Sequence, residues 1–207
     1  MSVSKKPPFT INDVEIIKRE PLYKGYFSAD ELKLRHKLYE GGWSKTLSRE
    51  LFLRGHAVGI LLYDIKRDCV CLVEQFRVGA METERPWLLE LVAGVIDTDE
   101  TAQQVAVREA WEEAKCKVEN IFYISKYYPS PGACNETMEL FCGFINSEGL
   151  GGVHGLAEEG EDIRVVVISR EEAYKYVQDG TINNAASIIA LQWLELTKDE
   201  LRKHPNA

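Results

Sequence analysis

Residues 94–116 read GVIDTDETAQQVAVREAWEEAKC, and they determine more about this chain than any other stretch. After a short acidic turn, their apolar spacing predicts an amphipathic helix of about four turns. On that helix Glu109 and Glu113 lie one above the other at i and i+4, with Glu112 beside them. A solvated acidic face is the simple explanation for any Glu-rich helix. However, divalent cations that prefer oxygen ligands would turn these repelling carboxylates into a binding site.

The polar spacing of this stretch resembles the Nudix box, the signature of Mg²⁺-dependent hydrolases that cleave a nucleoside diphosphate linked to another group. The matching positions are Gly94, Glu100, Arg108, Glu109, Glu112 and Glu113. One position departs from the pattern, because the chain has Lys115 where the family has a glycine that ends the helix. A lysine in the left-handed conformation costs about 1–2 kcal/mol. The alternative is that the helix ends in another way, and in neither case is a ligand lost.

The composition is that of a globular enzyme. A chain of 207 residues can bury a real core, and a net charge of −8 argues against broad nucleic-acid binding, which needs a basic surface. No apolar stretch has membrane-spanning length, and the first thirty residues lack a signal-peptide pattern. The cysteines are odd in number and form no CxxC pair, which is typical of reduced core residues in a cytoplasmic protein. They are Cys69, Cys71, Cys116, Cys134 and Cys142.

Two blocks with different patterns predict the fold. Short alternating runs from Val14 to about Phe52, with Gly41-Gly42 as a hairpin turn, predict an antiparallel meander. From Gly55 onward, buried strands surround the box helix and two helices close the chain. We therefore predict an α/β (α+β) architecture, in which residues 55–207 form an α/β/α sandwich with a mixed sheet, as the Nudix resemblance implies. Residues 1–54 are expected to form a small N-terminal antiparallel β domain.

Further segments resemble the ADP-ribose pyrophosphatase branch of the family, close to its enterobacterial members. They are EQFR at 74–77, ELVAG at 90–94, SPG at 130–132, HGLAEEGEDIRV at 154–165 and NNAASIIALQWL at 183–194. The resemblance implies Mg²⁺-dependent hydrolysis of ADP-ribose to AMP and ribose 5-phosphate, with two or three Mg²⁺ ions per site and Mn²⁺ as a substitute. Two alternatives stay open: hydrolysis of another nucleoside diphosphate sugar, such as GDP-mannose or ADP-glucose, or a non-catalytic ADP-ribose sensor.

The resemblance also implies the metal ligands. Glu109, Glu113, Glu161 and the backbone carbonyl of Ala93 are the expected set, and Glu112 is either a further ligand or a group that orients one. Arg108 is expected to pair with box carboxylates, because it lies four residues before Glu112. Glu100 either shares in the box or only places a favourable charge near the helix N-terminus.

A glycine-rich acidic loop follows at residues 149–162. By itself such a loop is most simply a solvated surface segment. Beside a metal site, it can deliver a general base when substrate closes the site. The family pattern places the base at Glu159, and Glu158 and Asp162 remain the competing assignments.

The substrate contacts implied by the resemblance fall in both blocks. Arg77 would meet the phosphates, and Tyr26 and Phe27 would stack on the adenine. The other expected contacts are Arg49, Glu50 and Arg54 near the phosphates, Val95, Ser130, Pro131 and Gly132 on the ribose side, and Glu136 on the ribose hydroxyls. Each also has a plain structural explanation as a surface charge or core aromatic, and His56 and His154 are expected to be structural. In this branch the N-terminal domains are exchanged between subunits, which implies a homodimer.

Overall fold

The chain folds into two compact units. The computed structural model describes residues 9–96, 99–156 and 160–205. One unit comprises the chain up to Arg54 together with Ser130–Glu136, and the other comprises Gly55–Pro129 and the chain from Thr137 on. The first contains a three-stranded antiparallel sheet and the second a mixed sheet with helices. The predicted class, an α/β fold preceded by a small antiparallel sheet, is thereby confirmed.

The first unit is a meander in the order β1-β2-β3. Its strands are β1 (Val14–Lys24), β2 (Ser28–His36) and β3 (Leu47–Leu53), preceded by a short 3₁₀ turn at Ile11–Asp13. Gly41 and Gly42 have φ angles of 90° and 76° in the turn after β2, as the sequence predicted. Ser130–Glu136 belongs to this unit because Phe52 donates its N–H to the Ala133 carbonyl at 2.7 Å.

The second unit is built on a sheet in the order β10-β11-β5-β4-β9-β8, with β6 paired to β5 and β7 to β4. Its strands are β4 (His56–Asp64), β5 (Cys69–Phe76), β6 (Trp87–Glu90), β7 (Val92–Ile96), β8 (Asn120–Tyr127), β9 (Thr137–Phe144), β10 (Gly152–His154) and β11 (Ile163–Ser169). The β4–β9 pair is parallel and the other pairs are antiparallel. Short β10 is a difference from the sequence prediction, which treated residues 149–162 as a loop.

Helices cover both faces of this sheet, and strand alternation divides the core accordingly. On one face Val58, Ile60 and Leu62 of β4 pack in a cluster with α1 (Ala102–Ala114). On the other face Leu61 and Tyr63 pack in a cluster with α2 (Arg170–Asp179) and α3 (Ala185–Leu201). None of the helices among the described residues is long and apolar enough to cross a membrane.

The apolar segment PWLLELVAG, at residues 86–94, is divided at Leu91. Before this residue β6 pairs with β5, and after it β7 pairs with β4, so the chain changes its hydrogen-bonding partner. The Leu91 N–H donates instead to the buried Ser187 hydroxyl at 3.1 Å, and the Asn184 amide donates to the Leu89 carbonyl at 2.9 Å. Ser187 and Asn184, at the start of α3, therefore satisfy the backbone hydrogen-bonding groups of Leu91 and Leu89, where the strand divides.

The ends of the helices follow their sequence signals. Thr101 caps α1 through reciprocal hydrogen bonds with Gln104, and Asn184 caps α3. At the other end of α1, Lys115 adopts the left-handed conformation, with φ 50° and ψ 31°. Its N–H donates to the Trp111 carbonyl at 3.1 Å. The chain thus ends the box helix as a glycine would, and accepts the strain of a side chain there.

Candidate active site

The inner face of α1 places two box carboxylates against β7, Glu113 at Ala93 and Glu109 at Gly94. Glu113 is only 3% exposed and accepts a hydrogen bond from the Ala93 N–H at 3.3 Å. Burial, and then the charge of Glu109, raise the pKa of Glu113 to about 8. Burial raises the pKa of Glu109 to about 7, against the opposing charge of Arg108. Two adjacent carboxylates that resist ionisation mark a place where a positive charge would be stabilised.

Gly94 makes room for this pair. A Cβ atom at position 94 would overlap the carboxylate of Glu109. Any side chain at this position would displace the Glu109 carboxylate from its place beside β7. Val95, the next residue on β7, is 48% exposed.

Arg108 forms hydrogen bonds with three box carboxylates. Its guanidinium donates to Glu109 and Glu112 at 2.9 Å each, and to Glu100 at 3.2 Å. The predicted pairing with Glu112 is therefore present, and Glu100 also takes part in the network. Glu109 and Glu112 thus accept hydrogen bonds from the same nitrogen of Arg108.

Glu161 lies within electrostatic range of the pair, since its charge contributes to the raised pKa of both Glu109 and Glu113. Its carboxylate accepts the Leu156 N–H at 2.9 Å, and its own N–H donates to the Leu156 carbonyl at 3.2 Å. The predicted base Glu159 and its competitor Glu158 lie outside the described residues.

The donor set fits a divalent cation. Within residues 9–96, 99–156 and 160–205, no three His, Cys, Asp or Glu side chains are close enough together to form a metal site as they stand. Glu109 and Glu112 accept hydrogen bonds from Arg108, and Glu161 accepts one from the Leu156 N–H. The oxygen donors at this place are carboxylates and the Ala93 carbonyl of β7, which are the ligands that Mg²⁺ and Mn²⁺ prefer.

Arg77 is fixed beside the box by a residue that the sequence analysis missed. Its guanidinium donates to Glu90 at 2.6 Å, and its N–H donates to the Pro86 carbonyl at 2.8 Å. Its positive charge lowers the pKa of Glu113, opposing the effect of burial, so it is within electrostatic range of the box. The pattern that could have revealed Glu90 is a carboxylate inside the otherwise apolar run PWLLELVAG.

The other predicted substrate residues form a local group within the first unit. Phe27 contacts Tyr26 and Phe52 with ring centroids 4.8 and 5.3 Å away, and the Arg54 guanidinium lies 5.6 Å from the Phe27 centroid. Arg54 also pairs with the buried Glu136 at 3.3 Å. This unit therefore joins an aromatic platform, a cation and a carboxylate.

Several predicted contacts of the first unit are open to solvent. Arg49 and Glu50 lie on β3, and Ser130, Pro131 and Gly132 form an exposed turn. The histidines expected to be structural have internal hydrogen bonds: His56 contacts the Thr137 hydroxyl at 2.7 Å and His154 the Gly151 carbonyl at 2.8 Å.

Comparisons with known proteins agree with this geometry. Residues 53–192 match the model of the NUDIX domain. The chain is 49% identical over 195 residues to the ADP-ribose pyrophosphatase of Escherichia coli (strain K12), covering 94% of this chain and 93% of that protein. It is 43% identical to the Haemophilus influenzae ADP-ribose pyrophosphatase, covering 94% and 92%. A GDP-mannose pyrophosphatase of Cronobacter sakazakii is more distant, at 32% identity with coverage of 89% and 96%.

A solved structure supports the fold. The crystal structure of an ADP compounds hydrolase superposes with a TM-score of 0.70, covering 92% of this chain and 97% of that one. At 20% identity this likeness concerns the architecture alone.

Proposed function

The chain belongs to the Nudix family, and from this premise we propose that it hydrolyses the diphosphate of ADP-ribose to AMP and ribose 5-phosphate. The observation that carries the proposal is the Glu109–Glu113 pair, in which Glu113 is buried, against Ala93 and Gly94 of β7. It occurs in a chain whose similarity to ADP-ribose pyrophosphatases spans nearly its whole length. The proposed substrate is thus a small molecule with a diphosphate.

Nudix hydrolases generally need a divalent metal, and we propose two or three Mg²⁺ ions per site, with Mn²⁺ as a substitute. Glu109, Glu113, Glu161 and the Ala93 carbonyl would hold them, and Glu112 would either be a further ligand or orient one. Bound ions would neutralise charge on the diphosphate and lower the pKa of the attacking water. Arg108 would keep Glu109 and Glu112 oriented through its hydrogen bonds.

In the proposed reaction a water oxygen bonds to one phosphorus while the bridging P–O bond breaks. The electron pair of that bond leaves with the other phosphate. Glu159 is the proposed acceptor of the water proton, and Glu158 and Asp162 are the competing acceptors. Arg77, fixed by Glu90, would contact the phosphates and orient them for attack.

The first unit supplies the proposed recognition of the nucleoside and ribose. Tyr26 and Phe27 offer an aromatic face for adenine, and the carboxylate of Glu136 suits ribose hydroxyls. The remaining proposed contacts are Arg49, Glu50, Arg54, Val95, Ser130, Pro131 and Gly132.

We further propose a homodimer with exchanged N-terminal domains. The support is a series of exposed apolar side chains along β1. Ile16 and Ile17 are 54% and 51% exposed, and Leu22 and Tyr23 are 54% and 62% exposed. Exposed apolar surface of this kind favours association with another chain. A cytoplasmic location is also proposed, since all five cysteines are free.

A substrate panel tests the proposed function. ADP-ribose, ADP-glucose and GDP-mannose are incubated with the protein and Mg²⁺, with and without excess EDTA, and the products are separated by chromatography. We expect fastest cleavage of ADP-ribose to AMP, abolished by EDTA. Faster cleavage of another sugar would identify that sugar as the substrate. Binding of ADP-ribose without any cleavage would favour the sensor alternative.

A further inference from the structure

Gln75 carries an unsatisfied hydrogen-bond donor in the interior. The residue is only 9% exposed. Among the described residues, its Nε2 is the buried side-chain nitrogen or oxygen that has no hydrogen-bond partner. Leaving a buried donor unpaired is unfavourable, and native proteins seldom do so without a reason. A group that accepts a hydrogen bond from this amide is therefore to be identified.

The position of Gln75 on β5 determines the face on which it lies. Cys71 and Val73 belong to the core cluster that includes α1, whereas Val70 and Leu72 belong to the cluster on the α3 side. Because side chains alternate along a strand, Gln75 lies on the α1 face, the face of the box helix. Strand β5 therefore places a neutral hydrogen-bond donor on the same side of the sheet as Glu109 and Glu113.

Residues around Gln75 on this face are already engaged with one another. Two residues further on, Arg77 donates to Glu90, and Val73 lies opposite Glu90 in the β5–β6 pair. Leu88, which lies directly opposite Gln75, offers no polar side chain. Glu113 receives its hydrogen bond from the Ala93 N–H. None of these carboxylates bonds to Gln75 Nε2, and no other group among the described residues does so.

We propose that Gln75 Nε2 donates a hydrogen bond to a phosphoryl oxygen of the bound nucleoside diphosphate, beside Arg77. This inference rests on the proposed function, since it needs a diphosphate on the α1 face. An N–H donor and a guanidinium two residues apart on one strand match an anion with several oxygens. The arrangement exchanges stability of the free protein for affinity, because the donor is satisfied only when substrate is present.

The substitution Gln75→Leu separates this role from a structural one. Removing an orphan donor should stabilise the free protein, and we expect its melting temperature to rise by about 2–4 °C or more. The same change should weaken binding of the α,β-methylene analogue of ADP-ribose, measured calorimetrically with Mg²⁺, by at least about 10-fold. It should lower kcat/KM to a similar extent. The Mg²⁺ concentration for half-maximal activity should stay unchanged.

Gln192→Leu is the matched control, because Gln192 is exposed on α3 and should show none of these changes. Gln75→Glu is the second variant, since it keeps the size of the side chain and replaces the donor by a negative charge. It should weaken analogue binding further than Gln75→Leu.

Two results would overturn the proposal. One is a Gln75→Leu protein that gains stability and binds the analogue as tightly as the wild type. The other is a shift in Mg²⁺ dependence without loss of analogue affinity, which would make a box carboxylate the partner. If the wild type cleaved a different nucleoside diphosphate sugar, the proposed substrate would be wrong. The Gln75 experiment would then use the methylene analogue of that sugar.

Discussion

Strands β4 and β1 differ sharply in how far their apolar side chains are buried. From Ala57 to Asp64, every residue of β4 is buried, and both of its faces pack against helices. Of the eleven residues of β1 none is buried, although the strand includes Ile16, Ile17 and Leu22. The unit that holds the box therefore supplies its own core. The N-terminal unit presents surface that another chain can cover, which agrees with the proposed dimer.

The first prediction has the largest expected effect, and it tests whether catalysis depends on the unit that holds the box. Glu113→Gln removes a charged, buried carboxylate beside Ala93, and we expect kcat to fall by about 10³-fold, with a higher Mg²⁺ requirement. Steady-state rates across a Mg²⁺ titration measure both quantities. Glu119→Gln, an exposed carboxylate of the same unit, is the control. A Glu113→Gln enzyme with near wild-type turnover would remove the pair from the mechanism.

The second prediction sharpens the assignment of the proposed base. Glu159→Gln should lower kcat by about 10²–10⁴-fold and leave KM nearly unchanged, because a proton acceptor acts in the chemical step. Glu158→Gln should change the rate only modestly. Were Glu158→Gln the inactive variant, the base would be misassigned, while the hydrolase proposal would stand.

The third prediction addresses the comparison directly. Ile60→Ala, at a fully buried position of β4, should lower the free energy of unfolding by about 2–5 kcal/mol at any protein concentration. Ile17→Ala, on β1, should instead weaken dimerisation, so that its effect depends on concentration. Urea unfolding and light scattering over a range of concentrations measure the two effects. Ile17→Ala without any change in oligomeric state would argue against an interface on this face.

The fourth prediction concerns acid. Burial alone would raise the pKa of Asp64, but hydrogen bonds from Ser147 and Arg67 outweigh it and lower that pKa to about 2 from 3.8. Since the folded-state pKa is depressed, the stabilisation is present above about pH 3.8 and is lost as the pH falls towards 2. The loss should be about 2 kcal/mol. Urea unfolding between pH 5 and pH 2 should therefore show a shallower pH dependence for Asp64→Asn than for the wild type. Parallel curves would contradict the assignment.

The smallest effect concerns the end of the box helix. Lys115→Gly should stabilise the protein by about 1 kcal/mol, because glycine adopts the left-handed conformation without strain. Thermal unfolding measures the gain, and kcat should be unchanged. A destabilised variant would indicate that the contact of Lys115 with the Trp111 ring outweighs the backbone strain.

Local patterns predicted much of this molecule. The periodicity and caps of residues 101–115 give the box helix, and its spacing places Arg108 beside Glu112. Features that depend on strand pairing could not be predicted in this way. The division of PWLLELVAG at Leu91 depends on which neighbour each half meets, and the pairing of Arg77 with Glu90 depends on that register. The unpaired amide of Gln75 could not be predicted either, because the sequence EQFR alone does not determine which side of β5 faces the helix.

The change of partner at Leu91 has a consequence for how this protein tolerates insertions. Residues 78–86 connect β5 to β6 and lie largely exposed, so added residues there would lengthen a surface loop at little cost. One residue inserted at Leu91 would turn every following side chain of β7 to the opposite face. Ala93 and Gly94 would lose their places against Glu113 and Glu109. Length variation among related sequences should therefore accumulate before Trp87 and stop abruptly at this point in the strand.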